Sequence, residues 1–157
     1  MNRRRRASAD PTLRAGRLAL LTTSAVHLGF QSVVTSVMYP ELFDGPTHGI
    51  AERQADHARR IAPVALTLYA AGLGATAWTA YGSIRSRERT GLTATLVACA
   101  AGVAAPAITA GVVPLHVGIA REQVNRPRIA ALLASDRIRT GLAALGVVAA
   151  SQALSRG

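Results

Sequence analysis

The chain reads as an all-α four-helix transmembrane bundle, and three observations carry that reading. Half of its 157 residues are hydrophobic while aromatic residues make up only 4%. The apolar residues, mostly Ala, Leu, Val and Gly, gather in blocks instead of recurring at the period of an amphipathic surface helix. No Asp, Glu, Lys or Arg occurs between Arg17 and Glu41, Arg60 and Arg85, Arg89 and Arg121, or Arg139 and Arg156. Arginines fill the gaps between these runs, as residues that anchor helix ends at anionic headgroups do. A soluble all-α protein can hold two such runs in its core, but four in succession leave no polar face for water.

Residues 1–17 form a basic tail, expected to lack fixed structure, and residues 18–157 form the four-span membrane domain. The cluster "RRRR" at 3–6 stands too far from the first apolar block for a twin-arginine signal, and "SVMYPELFDG" after that block offers no small-residue cleavage site. Spans one to three cover about residues 18–39, 61–82 and 92–115, each meeting the roughly 20 residues that a ~30 Å hydrocarbon core requires. Span four, about 138–155, is short and draws on its flanks or on a thinner bilayer. Tyr39, Trp78 and Tyr81 stand where an interfacial aromatic belt forms. Small residues four apart (Ala70 and Gly74, Ala98 and Gly102, Ala101 and Ala105) allow close helix approach. With the N-terminus inside, ten arginines face the cytoplasm and eight the other side, so both termini are expected to be cytoplasmic. Self-association into a homo-oligomer is left open.

All 18 basic residues are Arg and the net charge is +10. Because they lie between apolar blocks, they point to membrane lipid as partner and not to nucleic acid. The lone Cys99 forms no intramolecular disulfide. There is no Gly-rich phosphate loop, G-x-S-x-G elbow or C-x-x-C. His48, His57 and His116 lack close metal-ligand spacing, and only His27 lies deep enough for a haem axial ligand, so neither a metal nor another cofactor is expected.

Polar residues collect in two places. In span one, Ser24, His27, Gln31 and Thr35 recur at three and four residues and form one inward stripe, where an ionisable group is costly and points to function. At about 1.5 Å per residue, His116 lies roughly 36 Å along a helix from Leu92, at the non-cytoplasmic interface. Pro114 loosens the turn before it. His57 precedes span two by one turn, and Arg137 and Arg139 precede span four, so three segments deliver His57, His116 and Arg139 to one end of the bundle. Interfacial anchoring and packing account for the same residues without function.

The ordered stretches "MYPELF", "HARRIAP", "VPLH" and "RIRTGLAAL" resemble a family of small four-span bacterial membrane proteins, that of the domain of unknown function 1772, grouped with anthrone oxygenase-like proteins. The resemblance covers roughly residues 18–150 and falls on His57, Arg60, Pro114, His116, Arg139 and Thr140. Asp136 and Arg137 stand where the family often has Asn-Trp, and His116 where the oxygenase-like members carry Asn. The resemblance implies a bacterial cytoplasmic-membrane protein of polyketide biosynthesis, an oxidoreductase that converts an anthrone-like polycyclic phenol with O2 to a quinone without metal or flavin. In that reading His116 or His57 takes a proton, Arg139 or Arg60 steadies the enolate oxygen, Arg137 assists binding, and His27 and Gln31 line the pocket floor. The competing class is non-enzymatic: a membrane scaffold, a small-molecule carrier or an accessory subunit.

Overall fold

The computed structural model describes residues 10–44, 48–86, 89–121 and 124–156. Among them the chain is helical apart from short connections: α1 spans Pro11–Val33, α2 Tyr39–Phe43, α3 Ile50–Ser86, α4 Leu92–Ala120 and α5 Arg126–Arg156. Asp10 starts α1 by accepting from the backbone N–H of Thr12 at 2.8 Å, and Pro11 fills the first turn, where no donor is lost. A wider π-helical turn, Val34–Met38, joins α1 to α2 without breaking the rod. Gly91, at φ 72°, supplies the left-handed residue that precedes α4.

Four rods, Pro11–Phe43, α3, α4 and α5, are long and apolar enough to cross a membrane, and the chain is a multi-pass membrane protein. Short connections make successive rods antiparallel neighbours. Each of α1, α3, α4 and α5 packs on the next around the bundle, α5 closes against α1, and the diagonal α1–α4 contact is slight. Side chains such as Leu66, Ile84, Leu96 and Val148 are exposed on the outside, where lipid covers them.

The two ends of the bundle pack differently. At the α1 start and α3 end, glycines bring backbones together: a Cβ on Gly82 would stand 3.0 Å from Leu13 Cα, and one on Gly16 3.0 Å from Thr79 Cα. Leu20, Ala75, Ala98, Ala149 and Ala150 fill the seam above. At the other end Val34, Tyr39, Leu42, Ile50, Val112, Ile119 and Leu132 pack instead, and these bulkier side chains hold the helices apart. Gly82→Leu is therefore expected to cost about 1–3 kcal/mol, because its new atoms meet backbone that cannot yield. A lowered unfolding midpoint in detergent checks this, and an unchanged midpoint refutes it.

Several sequence expectations need correction. Residues 1–9 of the expected tail lie outside the described residues, but 11–17 are the first turns of α1. Arg17 is buried, its Nε donating to Thr95 Oγ1 at 3.2 Å and an Nη to the Thr90 carbonyl at 2.9 Å. Tyr39 is buried at 3% exposure and not interfacial. It follows Gln31 and Thr35 at steps of four residues, and the wider π turn between Thr35 and Tyr39 keeps it on the inward side of the stripe. Ala70 and Gly74 face outward, whereas Ala98, Ala101 and Ala105 are buried as their spacing suggests. The fourth rod begins at Arg126, twelve residues before the expected start of span four at 138, so it is not short.

Candidate functional site

The splayed end of the bundle encloses a cavity of about 310 Å³, lined mainly by apolar side chains with a few polar ones. All four rods contribute. α1 supplies Gln31, the π turn Val34, α2 Tyr39, α3 His57 and Tyr69, α4 Thr109 and His116, and α5 Arg139.

Beneath the polar wall lies a buried ion pair. Asp136 and Arg139 occupy adjacent turns of α5 at 1% and 4% exposure, with Arg139 Nη2 donating to Asp136 Oδ1 at 3.2 Å. Charges held away from water need partners beyond each other. Asp136 Oδ1 also accepts from Gln31 Nε2 at 3.0 Å, and its Oδ2 from the Thr35 hydroxyl at 2.5 Å. Arg139 Nη1 donates to Thr109 Oγ1 at 3.1 Å, and its Nη2 also reaches Tyr39 Oη at 3.4 Å. Tyr69 Oη lies 2.6 Å from Thr109 Oγ1, which brings α3 into the same network. Two members of the inward stripe of α1, Gln31 and Thr35, thus hold the α5 carboxylate. Arg139 Nε is buried with no hydrogen-bond partner among the described residues.

The two histidines of the cavity differ in environment. His116 Nδ1 lies 2.6 Å from Nε2 of Gln54, an α3 residue with no exposed surface. With the amide N–H donating to Nδ1, a neutral imidazole carries its proton on Nε2 and acts as a donor there. His57 is buried and stands 6.1 Å from the Tyr39 ring between ring centres, and it makes no hydrogen bond among the described residues. Its ring stands between the cavity and a neighbouring groove lined by Glu41, Arg53, Asp56 and Arg60.

Of the residues singled out from sequence, His57, His116, Arg139 and Gln31 share the cavity wall. His27 does not: it packs edge-on to Tyr69 at 5.3 Å, behind the wall, with its buried Nε2 unpartnered among the described residues. Arg60 and Arg137 are exposed, and Arg60 pairs with Asp56 at 2.7 Å. Neither lines the cavity, because each projects from its helix on the outer side. His48 is exposed and apart from the other two histidines. Among the described residues no three His, Cys, Asp or Glu side chains are placed to hold a metal ion.

Sequence reasoning did not assign Tyr39, Gln54, Tyr69, Thr109 or Asp136 to the site. Asp136 and Arg139 offered a signal: they are three residues apart with no Pro or Gly between Pro127 and Gly141, which is the spacing of an intrahelical pair. Gln54 and His57 are likewise one turn apart. Tyr69 and Thr109 look like ordinary span residues until the helices are brought together. In comparisons with family models, curated proteins and solved structures, the chain matches none.

Proposed function

We propose that the protein is a cofactor-independent oxygenase of the bacterial cytoplasmic membrane, acting on an anthrone-like polycyclic phenol, with both termini cytoplasmic and the cavity towards the other side. The observation that carries this reading is the pairing of His57 and His116 with Arg139 on the wall of one apolar cavity. Its volume of about 310 Å³ lies at the small end of the roughly 300–1,000 Å³ typical of ligand sites, suited to a compact ring system.

An anthrone carries a methylene group whose proton is acidic because the resulting anion is delocalised onto the ketone oxygen. His57, with its free acceptor nitrogen, takes that proton. His116, fixed as a donor by Gln54, and the Arg139 guanidinium stabilise the enolate oxygen. The electron-rich enolate passes one electron to O2, and the two radicals combine to form the carbon–oxygen bond. The hydroperoxide recovers a proton from the His57 imidazolium and loses water as the second C–H bond breaks. One oxygen atom remains as the new carbonyl and the other leaves as water. The apolar walls keep bulk water from the enolate.

The test is oxygen uptake and quinone absorbance when the protein, in lipid nanodiscs, is given anthrone with and without air. Oxygen-dependent quinone formation above the spontaneous rate is the expected result. Binding without acceleration would retire the oxygenase and leave a carrier.

A further inference from the structure

Among the residues that line the cavity, only Ala62 on α3 and Val113 and Val117 on α4 are exposed on the outer surface of the bundle. The mouth of the cavity therefore lies in the seam between α3 and α4. On α3 the seam is edged by Ala58, Ala62 and Ala65, which recur at four and three residues and so share one helix face. Opposite them Val113 and Val117 are 49% and 41% exposed.

That mouth lies at the hydrocarbon edge, just inside the charged residues: Ala62 follows Arg60 by two residues and Val117 precedes Arg121 by four. Val113 lies eight residues before Arg121 and twenty-four after Arg89, inside a run without a charged residue. At 1.5 Å per residue it sits about 12 Å from the nearer arginine along the helix. Ala65 likewise stands inside the charge-free run that begins after Arg60.

Each edge also carries a proline, Pro63 on α3 and Pro114 on α4, both exposed and both inside continuous helix. A proline removes the hydrogen bond to the carbonyl four residues earlier, here Arg59 and Ala110, and crowds that turn. Both walls are thus weakened at the level of the mouth. At the opposite end of the bundle, by contrast, α1 and α3 touch through glycine.

We propose that the α3–α4 seam at Ala62, Val113 and Val117 is a lateral port, through which an uncharged aromatic ligand dissolved in the bilayer enters the cavity. Only the ring character of the ligand is taken from the proposed function; the route rests on the cavity and its mouth. Ala62 sets the width of the port, because a larger side chain there stands across the gap towards Val113 and Val117.

The test uses the full-length protein in nanodiscs and 3-trifluoromethyl-3-phenyldiazirine, a small apolar photoprobe that partitions into the bilayer and needs no turnover. Modified residues are located by peptide mass spectrometry. Carbene insertion is expected at lipid-facing Leu66 and also at Val34 and Tyr69 on the inner cavity wall. Ala62→Phe is expected to lower insertion at Val34 and Tyr69 at least tenfold while leaving Leu66 unchanged. Val113→Phe, which narrows the port from the other helix, should do the same and guards against a local misfolding effect of the first variant.

Undiminished labelling of Val34 and Tyr69 in both variants overturns the port, as does labelling of Leu66 alone in the unaltered protein. Stronger labelling of Tyr69 by a charged, water-borne diazirine than by the apolar one also overturns it, because the cavity would then open to water. Failure of anthrone turnover with port-dependent labelling intact would count against the oxygenase and not against the route.

Discussion

Asp136→Ala is expected to abolish most of the folded protein, with a loss of about 3–5 kcal/mol, the range seen when one member of a buried ion pair is removed. The substitution leaves the Arg139 guanidinium charged at 4% exposure and strips Gln31 Nε2 of its acceptor, while the Thr35 hydroxyl falls back on the Gln31 carbonyl at 2.8 Å. Two buried polar groups, Gln31 Nε2 and the Arg139 guanidinium, then lack the carboxylate around which they are arranged. The double variant Asp136→Ala with Arg139→Leu removes both charges and is expected to recover much of the loss, since an apolar replacement of a buried pair is often neutral. The monodisperse fraction on size exclusion in detergent, followed by thermal unfolding, measures both. If Asp136→Ala folds as well as the parent, the pair does not hold the bundle together.

His57→Ala is expected to lower anthrone oxidation about 10²–10⁴-fold, the contribution of a positioned general base. Its effect on folding should be small, because His57 makes no hydrogen bond among the described residues. Added imidazole, small enough to enter the space vacated, should restore part of the rate. His116→Ala removes a donor to the developing oxyanion and is expected to cost about 10²–10³-fold without rescue by imidazole. Single-turnover rates in nanodiscs separate the two. Equal loss with equal rescue in both variants would contradict the division of roles, and unchanged rates in both would remove the histidines from the chemistry.

The fold was legible because its determinant is local. Four charge-free runs between arginines state where chain can lie in hydrocarbon, and no distant contact revises that. The gathering of His57, His116 and Arg139 was legible for the same reason, since depth along a helix follows from residue number. Orientation about the helix axis was harder to read. Arg137 and Arg139 stand two residues apart on α5, yet only Arg139 turns inward, where Asp136, Thr109 and Tyr39 receive its donors. Tyr39 looks interfacial in a sequence, and only the π turn before it and the buried guanidinium beside it explain its place inside. Gln54 was hidden by its position ahead of the charge-free run, outside the span expected over 61–82, whereas α3 starts at Ile50.

The ion pair also bears on how the chain is put into the membrane during synthesis. At the centre of a spanning helix, Asp and Arg each disfavour transfer from the translocon to lipid by about 2.5–3.5 kcal/mol when alone. Asp136 and Arg139 sit three residues apart on one helix, so they can neutralise each other before any other helix is met. α5 is made after α1, so Gln31 and Thr35 precede it out of the translocon. The pair can therefore enter the bilayer already neutralised and find Gln31 and Thr35 of the first rod waiting. A chain with the acid on α1 and the base on α5 would have to insert each charge unaccompanied.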